Sequence, residues 1–81
     1  MLNPELLAIL RCPETHQTLA NASREIVAAL NQQISVGTAK NRGGEKVTEA
    51  INGGLLREDK KILYPIRNGL PILLIDAAFS V

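Results

Sequence analysis

At 81 residues, with 46% hydrophobic side chains, the chain has room for one domain and enough apolar content for a packed core. Nine basic and eight acidic side chains leave a net charge of +1, which excludes electrostatic steering toward nucleic acid or an anionic membrane. Tyr64 and Phe79 are the only aromatics, so the stacking platforms of single-strand binders are missing as well. Cys12 is the single cysteine and rules out an internal disulfide. The opening M-L-N-P-E-L-L-A-I-L has no basic leader, and the longest apolar run, Leu70–Ile75, is far short of a membrane span. These features predict a soluble cytoplasmic protein with neither a membrane nor a nucleic-acid partner.

Asn3-Pro4-Glu5 reads as a helix start, with Asn capping, Pro in the first turn and Glu complementing the dipole. Leu6, Leu7, Ile9 and Leu10 form its apolar stripe, and it should end before Cys12-Pro13, because the residue before proline disfavours the helical region. Pro13–Gln17 is polar and turn-like, and Thr18-Leu19 can form a short strand. A second helix is predicted over about residues 22–36. Asn21 or Ser23 caps it, Ile26, Val27, Leu30 and Ile34 fall at helical spacing, and Gly37 ends it. Residues 38–46 are polar and glycine-bearing, the composition of a flexible loop. Lys46–Ile51 fits either a strand or an extended loop, and Asn52-Gly53-Gly54 is a turn signal. Leu55–Arg57 leads through the charged turn Glu58–Lys61, read as a solvated hairpin tip, into Ile62–Ile75.

That last stretch, I-L-Y-P-I-R-N-G-L-P-I-L-L-I, organises the chain. Asn68-Gly69 between apolar runs signals a type I′ turn, which needs positive φ at both central residues. A two-residue turn pairs Arg67 with Leu70 and Ile66 with Pro71, and continues outward to Ile62 with Ile75. Side chains alternate between faces. One face then carries Ile62, Tyr64, Ile66, Pro71, Leu73 and Ile75, and the other Leu63, Pro65, Ile72 and Leu74. Both are apolar, so both must be covered, in part by another protein. Pro65 and Pro71 lack N–H groups and belong at a sheet edge, a strand end or a bulge. The fold class is α+β: a single domain, 1–81, with a three- to four-stranded antiparallel meander, an N-terminal helix and a second helix.

L-L-A-I-L-R-C-P near the start and Y-P-I-R-N-G-L-P-I-L-L near the end resemble the small zinc-ribbon-like activator subunits of methyltransferases, of the type that serves tRNA methyltransferases. The nearest likeness is to the short bacterial YcaR-like branch. The resemblance covers residues 6–19 and 55–78, leaving residues 20–54 as an insertion that carries the second helix. It implies a fold built on Cys-Pro-x-Cys and a later Cys-x-x-Cys. At those four positions this chain has Cys12, Thr15, Arg57 and Lys60. One thiol cannot hold a structural zinc, and arginine and lysine bring positive charge where the ion would sit. His16, Glu58 and Asp59 add donors but match no zinc spacing. No cofactor or metal is expected, and the inserted helix is expected to cover one sheet face and supply the stability that zinc would otherwise give.

Cys12 and His16 are the only nucleophile–base candidates, and their spacing offers no orienting third group or oxyanion nest. The glycine pairs lack the spacing of a phosphate loop. The resemblance therefore implies a non-catalytic interaction module whose partner is a methyltransferase catalytic subunit. The surface expected to meet that partner is Leu63, Pro65, Leu70, Ile72 and Leu74, through strand addition at the hairpin. The alternatives are a homodimer through the same surface and a zinc-less ribbon binding RNA.

Overall fold

The structure, a computed structural model, describes Glu5 and residues 9–81. Most of the expected first helix lies outside the described residues. Glu5 and Ile9 have helical backbone, Ile9 is exposed, and Leu10 packs on the core. The described elements are strand β1 (Leu19–Asn21), helix α1 (Arg24–Ser35), β2 (Gly53–Arg57), β3 (Ile62–Arg67), β4 (Leu70–Pro71), a single 3₁₀ turn (Ile75–Ala77) and β5 (Phe79–Ser80). All strand pairs are antiparallel. The sheet runs β1-β2-β3, and the far side of β3 is shared between β4 and β5.

Helix α1 forms where its spacing predicts. The Ser23 side chain accepts from the Ile26 N–H, and Gly37, at φ 81°, closes the other end. There the Gly37 N–H bonds Ile34 and the Thr38 N–H bonds Gln33, a Schellman motif that satisfies the last carbonyls. Leu30 and Ile34 are buried against Leu63 and Phe79, with Ala22, Ala39 and Ile51 completing the layer. The opposite sheet face buries Leu19, Leu55, Ile62, Tyr64 and Ile66 against Cys12, Ala78, Leu10 and Leu73. Both faces of the hairpin are thus covered, and largely from within the chain.

The hairpin turn has the expected register, Arg67 opposite Leu70 and Ile66 opposite Pro71, with Asn68 at φ 53° and Gly69 at φ 78°. Beyond that, the expected pairing fails. The Ile72 N–H donates to the Pro65 carbonyl, but Pro65 has no N–H to return the bond, and the second strand peels away. The chain makes a 3₁₀ turn and comes back as β5, so Leu63 and Ile62 pair with Phe79 and Ser80 rather than Leu74 and Ile75. Pro65 therefore sits in the central strand, where one neighbour leaves and the other arrives.

Two further expectations change. Gly53-Gly54 is not a turn but the start of β2: a Cβ on Gly54 would lie 2.8–2.9 Å from the buried Leu63 side chain, so the glycine serves close strand packing. The 38–46 loop is tied down rather than free. Lys40 bridges Lys46, the Arg42 N–H donates to Ala78, and the Gly43 N–H donates to Asp76. Residues 47–52 form no strand, leaving the extended-loop reading.

Candidate functional site

Two turns meet at one end of the sheet. In the first, the Cys12 N–H donates to Gln17 and the His16 N–H donates back to Cys12, with His16 at φ 60°. In the second, the Lys60 N–H donates to Arg57 with Lys60 at φ 62°, and the Lys61 N–H bonds Asp59 Oδ1. The turns are joined by the Glu58 N–H to the Thr18 carbonyl and the Asp59 N–H to Gln17 Oε1. These are the segments where the family resemblance would place the metal positions.

Strand alternation fixes which side chains converge there. Arg57 pairs with Leu19 and lies two residues from Leu55, so all three share the face that carries Tyr64 and Cys12. Cys12 is fully buried, its sulfur 2.9 Å from the Tyr64 hydroxyl and 4.0 Å from Arg57 Nη1. Arg57, 8% exposed, donates from Nη1 to Glu14 at 3.1 Å and from Nε and Nη2 to the two Asp59 oxygens. Arg42, reaching in from the 38–46 loop, holds Glu14 through two further bonds of 3.0 and 3.1 Å.

The protonation states follow. Burial pushes the Cys12 thiol up, but hydrogen bonds led by Tyr64, then Thr15, outweigh it and bring the thiol down to about 6. Burial, reinforced by the bond to Cys12, raises Tyr64. Either the phenol or the thiol can donate in the bond between them. The Arg57 bond holds Asp59 down at about 2, and Arg42, followed by Arg57, holds Glu14 below the ordinary carboxylate range.

Of the four degenerate positions, the structure brings Cys12 and Arg57 into contact, places Thr15 beside the sulfur, and leaves Lys60 exposed. These residues do not fit zinc. A guanidinium already faces the one thiol, and the Tyr64 hydroxyl is within hydrogen-bonding distance of the same sulfur. Cys12 and His16 lie apart in environment: the sulfur is buried, the imidazole is exposed, and among the described residues no hydrogen bond joins them. Sequence reading passed over Glu14 and Arg42 because each sits in a polar turn or loop. The available signal was Glu14 lying inside the Cys-Pro-x-Cys spacing, opposite in charge to Arg57.

The second feature is the outer edge of the hairpin. Leu70 and Leu74 are 65% and 64% exposed, and Ile72 is half-buried. Leu63 and Pro65, expected beside them, are in the core. They face inward because α1 and β5 occupy the side of the sheet that was expected to be open. Next to Leu74, a cleft of about 540 Å³ opens between Asn41 and Glu45 on one side and Leu74–Ala77 on the other. No helix among the described residues is long and apolar enough to cross a membrane.

Residues 3–69 match the model of a family described as Trm112p-like protein, a range that includes residues 20–54. The chain is also similar to a protein of Xylella fastidiosa whose structure was determined in solution by NMR. The TM-score is 0.76 at 28% identity, covering 98% of this chain and 81% of that one. No curated protein matches.

Proposed function

Because the chain belongs to the Trm112p-like family, over residues 3–69, we propose that it is a non-catalytic subunit that stabilises a methyltransferase by covering apolar surface on the catalytic chain. The observation that carries this reading is the exposed leucine edge. Leu70, Ile72 and Leu74 continue from the hairpin turn on a strand that pairs over two residues and then departs, leaving two large apolar side chains mostly in water. Leu74 keeps extended backbone, at φ −107° and ψ 129°, which suits pairing with an added strand. The partner-facing set is Leu70, Ile72 and Leu74. Leu63 and Pro65 act behind it by fixing the strand from which it departs.

The test is purification of the tagged protein from its own host, with mass spectrometry of near-stoichiometric companions, beside a Leu70→Ser/Leu74→Ser variant. A methyltransferase retained by the parent and lost from the variant, with the melting temperature unchanged, is the expected result. A homodimer broken by the same substitutions, with no companion, would assign the edge to self-association and refute the activator reading.

A further inference from the structure

We propose that the metal cross-link implied by the family resemblance is replaced in this chain by a guanidinium-centred one, with Arg57 joining the two turns that zinc would otherwise join. The inference rests on the family's ligand positions but not on any partner, so it stands or falls apart from the activator reading.

A structural zinc site places one cation between anionic side chains drawn from two turns. Here the cation is covalently part of the second turn and reaches across to the first. Arg57 Nη1 donates to Glu14 at 3.1 Å and approaches the Cys12 sulfur at 4.0 Å, both groups of the first turn. Its Nε and Nη2 bind Asp59 of its own turn, which sets the guanidinium plane. A planar fork that holds one carboxylate two-fold and another on its remaining edge performs the geometric task of a multivalent ion. Negative charge has moved accordingly, from thiolates at the ligand positions to carboxylates at Glu14 and Asp59, next to positions 15 and 60. Arg42 buttresses the same Glu14, so the 38–46 loop is drawn into the cross-link. Arg57 is the one buried charged residue among those described, and each of its donor nitrogens has a partner in this cluster. A buried guanidinium so engaged is a built feature of the fold, since an unpaired one would be strongly destabilising.

The experiment uses the full chain in three forms. The parent should carry no stoichiometric zinc by elemental analysis, and its melting temperature should not move with EDTA or added zinc. Arg57→Gln, which keeps the length and removes the charge, should melt lower by roughly 5–10 °C. Arg57→Lys, which keeps the charge and removes the fork, should recover only part of that loss. In Thr15→Cys/Arg57→Cys/Lys60→Cys, the three new thiols join Cys12. Cobalt should give a one-to-one tetrahedral thiolate spectrum, and zinc should raise the melting temperature by about 10 °C or more, an effect absent from the parent. That readout survives if the metal-free variant is unfolded, because binding and folding are coupled. A parent that responds to chelator, an Arg57→Gln variant that melts like the parent, or a four-cysteine variant without tetrahedral cobalt bands would each overturn the proposal.

Discussion

Replacing Leu30 and Ile34 by alanine removes the two side chains through which α1 holds one face of the sheet. They are 6% and 5% exposed and share their contacts with Leu63, Phe79, Ala22, Ala39 and Ile51. Each truncation of this kind costs about 2–5 kcal/mol, the transfer loss plus the cavity left behind. The residues are one turn apart and line the same space, so the double loss is less than the sum and comes to roughly 4–8 kcal/mol. A domain of this size has a total stability of roughly 4–12 kcal/mol. The double variant should therefore be largely unfolded at 25 °C, and each single variant should lower the urea midpoint. Far-UV circular dichroism against urea reads both. Val36→Ser is the control, because Val36 is 60% exposed at the helix end and its replacement should leave the midpoint unchanged. A double variant that keeps the parent midpoint and slope would refute the claim that α1 is integral to the core.

Two other perturbations follow from the packing and the charges. Gly54→Ala should destabilise by about 1–3 kcal/mol in the same urea experiment, because its Cβ would meet three carbon atoms of fully buried Leu63, which has no room to yield. The carboxylates of Glu14 and Asp59 are held down in the fold, Asp59 from 3.8 to about 2. Their contribution is complete above the ordinary carboxylate range and is lost as pH falls through the folded values. The melting temperature should therefore decline steeply from about pH 4 toward about pH 2, and Asp59→Asn should flatten that decline; an unchanged profile would remove Asp59 from the acid response.

The sequence made legible whatever depends on local chemistry. Helix α1 has its Ser23 cap, its 26-27-30-34 spacing and its Gly37 stop, and the Asn68-Gly69 turn brings its register with it. The apolar character of both hairpin faces correctly required cover on both. What stayed hidden depends on distant partners. Nothing within Leu70–Ile75 announces that Phe79–Ser80 will take its place beside Ile62 and Leu63. Gly53-Gly54 carries a turn signature, and only the presence of Leu63 across the sheet makes it a packing site. The charged turn Glu58–Lys61 is exposed, as read, but its Asp59 also binds Arg57, whose further partner Glu14 is far away in the chain.

The same dependence explains why the degenerate metal positions and the leucine edge have one cause. In a metal-held ribbon, the ion fixes the two turns and a sheet can be thin. Here Arg57 fixes the turns, while α1 and β5 thicken the sheet from inside the chain, burying Leu63 beneath Leu30, Ile34 and Phe79. Once β5 occupies the edge of β3 beside Ile62 and Leu63, the end of the hairpin strand has no place in the sheet and Leu74 is left exposed, while Leu70 is exposed at the turn, still paired with Arg67. Burying the two-thirds of each leucine that is exposed would yield roughly 2–4 kcal/mol before the costs of association. That range falls short of a tight complex by itself, so main-chain pairing along Leu70–Leu74 has to supply the remainder. A proline placed at Leu73, where the strand has left the sheet, separates the two contributions. Leu73 also packs on the core, so the variant is compared at a temperature where circular dichroism shows it folded; capture should weaken there if backbone pairing carries the affinity, and stay intact if the leucines act alone.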